Sequence, residues 1–187
     1  MRLFLAINFP AEVRESLWRS AQPLVRRGYP VKWVGAEQLH LSLKFLGEVP
    51  EERLPEITAA SARAVQGARP ITMTLGEGGF GVFPDLARPR VVWAAIAAEP
   101  ALELLQHQVE ATFAPLGFPS EGRPFRPHVT LGRATRNASP WDFHGLEQAL
   151  ASLSFSQTVL VDAVDLMHST LQASGSVYQV IHHDRLL

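Results

Sequence analysis

The stretch His40-Leu41-Ser42-Leu43-Lys44-Phe45-Leu46-Gly47 alternates polar and apolar residues from its start. In an extended chain residues i and i+2 share a face. A strand over 39–46 is therefore predicted, with His40, Ser42 and Lys44 on one face and Leu41, Leu43 and Phe45 on the other. Gly47 ends it. A second string, His128-Val129-Thr130-Leu131-Gly132, repeats the pattern and sets His128 beside Thr130. Each strand thus offers an imidazole next to a hydroxyl on one face and packs through aliphatic residues on the other.

Composition alone supplies roughly one His-x-Ser/Thr string by chance, so one occurrence would be a weak motif. The chain has three. The third, His168-Ser169-Thr170-Leu171, comes at a strand end and runs into Gln172-Ala173-Ser174-Gly175, where alternation is lost. The first two have an extended lead-in, Trp33-Val34 or Pro124 to Pro127. His40 and His128 are therefore read as a matched pair, and their symmetry suggests two related lobes lending one strand each to a shared cleft.

Outward from these strings the chain reads as strands and helices in mixed order. Leu3 to Ile7 is a buried strand, and Ala11 to Arg26 has helical apolar spacing behind Pro10. A short strand is predicted at 31–34, a helix at 50–66 and a strand at 71–75. The glycine-rich segment 76–84 reads as a turn leading to a short strand or loop. A strand at 90–97, a helix at 101–116, a loop at 117–127 and a helix at 145–153 follow. Strands are expected over 158–167 and 177–182. Several strand pairs have short connections, which favours antiparallel pairing and an α+β class. No glycine-rich dinucleotide or nucleotide-phosphate loop is present.

The length of 187 residues suits one domain or two small lobes sharing a core. Apolar residues are 47% and charged residues 19%, a globular composition. Lys plus Arg is 17 against 18 for Asp plus Glu, a net charge of -1, so a non-specific nucleic-acid coat is excluded as the main role. The absence of cysteine removes disulfide scaffolds, thiolate zinc sites and cysteine nucleophiles, and accords with a cytoplasmic setting. The apolar run at the N-terminus is too short for a signal peptide, and no run reaches the ~18 residues of a membrane-spanning helix.

Two histidines near neutral pH can act together as acid and base. Each neighbouring hydroxyl can donate to a phosphoryl oxygen without adding charge. Such a site needs no metal if its substrate is already activated. A 2',3'-cyclic phosphate is activated, because its five-membered ring is strained and its leaving group is a ribose oxygen. One imidazolium would protonate that oxygen while the other, neutral imidazole takes a proton from water. Which histidine takes which part is left open by the residues.

The chain resembles the 2H phosphoesterase superfamily and, within it, the RNA 2',3'-cyclic phosphodiesterases, also called 2'-5' RNA ligases. The resemblance covers Arg2-Leu3-Phe4-Leu5-Ala6-Ile7, Trp33-Val34 and Leu39 to Val49. It continues through Pro89-Arg90-Val91-Val92-Trp93, Gly117-Phe118 and Phe125 to Arg133, and closes on Ser169, Gly175 and Tyr178. It implies that His40 and His128 are catalytic and that Ser42 and Thr130 bind the substrate, with Ser42 standing where the family more often has Thr. It implies a bilobal α+β fold over 1–187, with two small antiparallel sheets facing a central cleft and helices outside. It also implies RNA ends or nucleotides with a 2',3'-cyclic phosphate as partners, no metal or other cofactor, no membrane, and a monomer. By the same resemblance His40 protonates O3', His128 activates water, and a 2'-phosphate results, with 2'-5' joining as the reverse.

Other residues carry two readings each. Lys44 shares a face with His40 and could touch a phosphate, or end the strand in solvent. Arg133 resembles a substrate-holding arginine, yet strict alternation points it away from His128 unless Gly132 makes a bulge. Arg88, Arg90, Arg123 and Arg126 could rim the cleft for an RNA end or simply be solvated. Phe45, Phe80 and Phe83 are read as core residues rather than base-stacking ones. A nucleotide-binding module without turnover is the alternative function.

Overall fold

Leu3, Leu5 and Ile7 enter the main apolar cluster, while Phe4 and Ala6 project from the opposite face into a smaller one with Met167. The strand they form, β1 (Arg2–Asn8), is covered on both faces, which is why its sequence is continuously apolar rather than alternating. The computed structural model describes residues 1–187. The other strands are β2 (Val31–Trp33), β3 (His40–Glu48), β4 (Ile71–Phe83), β5 (Val91–Ile96), β6 (His128–Ala134), β7 (Gln157–Val161), β8 (Ala163–Gln172) and β9 (Gly175–Arg185). The helices are α1 (Ala11–Ser20), α2 (Gln22–Val25), α3 (Leu54–Ala64), α4 (Pro100–Phe113) and α5 (Leu146–Ala151).

All nine strands join one antiparallel sheet in the order β7-β4-β5-β6-β3-β1-β8-β9, with β2 added to β6. Consecutive β7 and β8 are separated by Asp162 alone, yet β7 is one edge and β8 lies near the other. One residue spans roughly 3.5 Å. The two ends of the sheet must therefore approach each other, and the sheet curls into a half-barrel.

The α+β class and antiparallel pairing are found as expected, but the two separate sheets are not. Hydrogen bonding crosses from one half to the other where β3 meets β6, at the single paired position Leu41–Val129. The sheet is continuous, and its two halves meet at the strands that carry the histidine strings. Both halves feed the same core: Leu5 and Leu41 belong to one cluster with Val92 and Val129.

Other differences have local causes. The helix expected over 11–26 breaks at Ala21 into α1 and α2. Pro23 has no N–H and its ring clashes with the carbonyl four residues back. The segment expected to turn and then lead to a short strand or loop is instead, over 76–83, the second half of β4, which pairs β7 first and β5 afterwards. Gly76 allows the bend: its φ is +86°, and a Cβ there would stand 2.2 Å from the Phe155 carbonyl oxygen. No helix is long and apolar enough to cross a membrane.

Candidate active site

Leu41 and Val129 lie opposite each other and both point into the core. The residues flanking them must then point to the other face. Antiparallel pairing at that position sets His40 across from Thr130 and Ser42 across from His128. The two imidazoles and two hydroxyls thus sit at the corners of one small square at the lobe junction.

Each ring is held by the carbonyl two residues before it. His40 Nδ1 lies 2.8 Å from Gln38 O, and His128 Nδ1 lies 2.7 Å from Arg126 O. A carbonyl only accepts, so each Nδ1 carries the proton and donates it. Each Nε2 is left to take or give a proton. His40 Nε2 is 3.1 Å from Ser42 Oγ. Gln38 is itself anchored, donating from Nε2 to Ser176 O at 2.6 Å, which ties the lead-in of β3 to the β8–β9 hairpin.

Aromatic rings fix the imidazoles from the side. Phe4 and Tyr178 pack on His40 with centroids 5.2 and 5.1 Å away. Phe83 meets His128 edge-on at 4.9 Å. Phe4 shares its strand with core leucines, so the sequence reads it as buried. The alternation within β1 is the signal that puts it on the site face. Phe83, expected in the core, instead stands against a site histidine.

A bulge in each strand decides the next residues. On β3 the pairing with β1 steps from Ser42 to Lys44 and skips Leu43. On β6 the pairing with β5 steps from Thr130 to Gly132 and skips Leu131. Beyond a bulge the alternation changes phase. Lys44 therefore turns inward: it is 2% exposed and its Nζ donates to Glu110 Oε2 at 2.5 Å and to Pro119 O at 3.0 Å. The expectation that Lys44 touches the phosphate is corrected on this ground. Phe45 takes the site face in its place, 58% exposed and 5.8 Å from Phe4. On β6 the same shift brings Arg133 onto the face of His128 and Thr130. Gly132 is what the bulge requires, since a Cβ there would stand 2.5 Å from Val31 Cγ1.

The electrostatics follow. Burial pushes both imidazoles below the ordinary histidine value of 6.5. The bonds to Gln38 O and Arg126 O pull them part of the way back. The Arg133 guanidinium lowers both, and His128 lowers His40 further. Arg133 is thus near enough to act on the two rings together. Its charge suits an anion between them and disfavours a metal cation there; no group of three or more His, Asp or Glu side chains gathers to hold one.

His168 is placed elsewhere. It pairs with Leu3, whose side chain enters the core, so it lies on the face opposite the site. Ser169, paired with Tyr178, shares the site face.

The model of the 2'-5' RNA ligase superfamily matches residues 10–172. The RNA 2',3'-cyclic phosphodiesterase of Thermotoga maritima is 32% identical over 183 residues, covering 97% of this chain and 94% of the relative. TT0787 of Thermus thermophilus superposes with a TM-score of 0.81 at 34% identity, over 100% of this chain and 98% of that one. Escherichia coli LigT complexed with 3'-AMP superposes with a TM-score of 0.77 at 28% identity, over 99% and 97% of the two chains. Both histidine strings fall inside the matched span and the likeness runs through both lobes: the chain belongs to the 2'-5' RNA ligase superfamily.

Proposed function

We propose that residues 1–187 act as one two-lobed RNA 2',3'-cyclic phosphodiesterase that opens a terminal cyclic phosphate to a 2'-phosphate. The observation that carries this is the pair of imidazoles anchored through Nδ1 in the same way, each presenting Nε2 for proton transfer, where β3 meets β6 beside two hydroxyls and Arg133. The relatives named as RNA 2',3'-cyclic phosphodiesterases support the substrate class. The phosphate sits between the rings. His40 Nε2–H protonates O3' as its bond to phosphorus breaks, and His128 Nε2 takes the proton of the attacking water. Ser42 and Thr130 donate to the non-bridging oxygens and Arg133 balances their charge. Exposed Phe45 and half-buried Tyr178 offer the terminal nucleoside an apolar wall, with buried Phe4 packed against both.

The test is product analysis on an RNA ending in a 2',3'-cyclic phosphate, in EDTA. A 2'-phosphate formed at an undiminished rate is expected. A 3'-phosphate would refute the assigned bond, and dependence on a divalent ion the metal-free reaction. Binding without turnover would make the protein a nucleotide-binding module instead.

The hydroxyls make a second expectation. Donors aimed at charge that grows in the transition state are worth about 2.7–4 kcal/mol each. Ser42→Ala and Thr130→Val should each lower kcat about 10²–10³-fold with a much smaller change in KM, by the same principle. Ser42→Thr keeps the donor and should be nearly silent. A loss confined to KM would reduce both residues to ground-state binding.

The pH profile is a third. The working form holds one proton on the pair, so kcat/KM should be bell-shaped, with apparent pKa values belonging to both rings. Both are pushed down, so the alkaline limb, where the last proton leaves, falls on the acid side of an ordinary histidine. Arg133→Gln removes a charge that repels protonation of both rings. Both limbs should then move to higher pH, while KM rises. Limbs that stay in place would separate Arg133 from the pair.

A further inference from the structure

The face that carries His128 and Thr130 continues outward onto β2, where Lys32 pairs directly with Arg133 of β6. Val31 and Trp33, on either side of Lys32, pack against the core, and a Cβ at Gly132 would stand 2.5 and 2.9 Å from them. Lys32 therefore projects from the opposite face, the one that Arg133 takes after the bulge. Like charges directly opposite each other across two strands cost stability. Nothing in the protein offsets that cost, for no ion pair in the chain involves either residue. Two unpaired cations held abreast suit an anion that comes from outside. The place of the ammonium is also defined from its other side. The β8–β9 turn comes up against it at Gly175, whose φ is +131° and where a Cβ would stand 3.3 Å from Lys32 Nζ. Ser176 accepts from Gln38, which pins the same turn beside the lead-in to His40. Tyr178, further along that hairpin, packs on His40. Lys32 and the wall offered to the nucleoside thus border on one hairpin. Arg133 acts on both imidazoles, and Lys32 stands one strand further out.

We propose that Lys32 anchors the phosphodiester on O5' of the terminal nucleoside, so that the site distinguishes the end of an RNA chain from a free cyclic nucleotide. The inference rests on the proposed phosphodiesterase reading. In that reading the cyclic phosphate lies between the rings and Arg133 balances its charge. The next phosphate of the same strand is one ribose away, so a cation one strand beyond Arg133 meets it. With the base against Phe45 and Tyr178, O5' turns toward the end of the hairpin at Gly175, where the Lys32 ammonium stands. A free cyclic nucleotide carries a neutral 5'-hydroxyl there and leaves the lysine without a partner. Lys32 touches no reacting atom. It tells substrates apart by the charge they carry at O5', and its contribution appears in binding.

The experiment measures kcat/KM for adenosine 2',3'-cyclic phosphate, for the same nucleotide with a 5'-phosphate, and for the dinucleotide ApA ending in a 2',3'-cyclic phosphate. In the wild type the second and third are expected to be about tenfold better than the first, mainly through KM, as suits one charge-assisted contact partly screened by solvent. In Lys32→Gln both ratios should fall to about one, while Lys32→Arg, which keeps the cation, should hold them near the wild-type values. Added salt should shrink the wild-type ratios and leave those of Lys32→Gln where they are. A Lys32→Gln variant that keeps the wild-type ratios would overturn the proposal, as would a wild type that treats the substrates alike. A gain confined to the 5'-monophosphate would overturn the reading of an RNA chain. An equal loss on every substrate in Lys32→Gln would overturn it too, by assigning Lys32 to the cyclic phosphate beside Arg133. Absence of hydrolysis of any of them by the wild type would defeat the phosphodiesterase reading itself, a result distinct from all of these.

Discussion

Replacing either His40 or His128 with alanine is expected to lower kcat/KM for a cyclic phosphate end by about 10²–10⁴-fold, the usual worth of a positioned general acid or base. The loss should be of similar size at either position, because in the proposed reaction each ring serves one end of the same displacement. The double variant should be little worse than either single one, since groups that act as a unit are not additive. Neither change should unfold the chain. Both rings lie outside the main apolar cluster, and the Leu41–Val129 pair that joins the two halves of the sheet is untouched. His168→Ala is the control. It has the same local string, His-x-Thr, but its pairing with Leu3 puts it on the core side. Near-normal turnover by His40→Ala or His128→Ala would remove that ring from the chemistry. A His168→Ala loss as deep as theirs would show that facing, as argued from pairing, does not decide the role.

The site was legible to the extent that strict alternation held. From His40 to Ser42 and from His128 to Thr130 the period of two is unbroken, and the structure puts each imidazole beside its hydroxyl. Beyond that point both strands bulge at the same place, at Leu43 and at Leu131. One skipped residue reverses the facing of the residues just after it. It sends Lys44 from the site into the core, brings Phe45 out, and turns Arg133 toward the histidines. Gly132 was a readable sign of the second bulge; nothing in Leu43-Lys44 marks the first. The residue five places after each histidine, Phe45 or Arg133, then faces the site in both lobes. The matched geometry extends further than the matched sequence, and it supplies two different groups, a flat ring and a cation, from equivalent positions.

The α+β class and its antiparallel pairing were also legible, from short connections between strands. The single curled sheet was not. Its continuity depends on Leu41 meeting Val129, and its curl on Asp162 sending the chain from one edge to the far side. Both are long-range matters that no local period reports. Segment 76–84 failed for the opposite reason. Its glycines read as a turn, whereas they bend one long strand so that it serves two partners in succession.

Lys44→Ala is expected to cost about 3–5 kcal/mol of stability, the scale for breaking a buried ion pair from one side. The change leaves the Glu110 carboxylate in the core without the cation 2.5 Å away, and takes the hydrogen bond from Pro119 O. For a chain of this size each kcal/mol moves Tm by roughly 2–4 °C, so a fall of about 6–20 °C should be seen in a thermal melt. Catalysis at a temperature where the variant is folded should stay near wild type, because the β3 bulge turns the ammonium away from the histidines. Lys44→Met with Glu110→Leu should recover most of the lost stability, since replacing both charges removes the buried, unpaired one. The pattern separates two explanations for one lysine. A phosphate-binding Lys44 would raise KM and leave the melt unchanged. A lysine that pins β3 to α4 lowers the melt, leaves KM alone, and is rescued by its apolar partner substitution. A melt within about 2 °C of wild type, less than 1 kcal/mol on the same scale, would mean that the pair does not hold the strand.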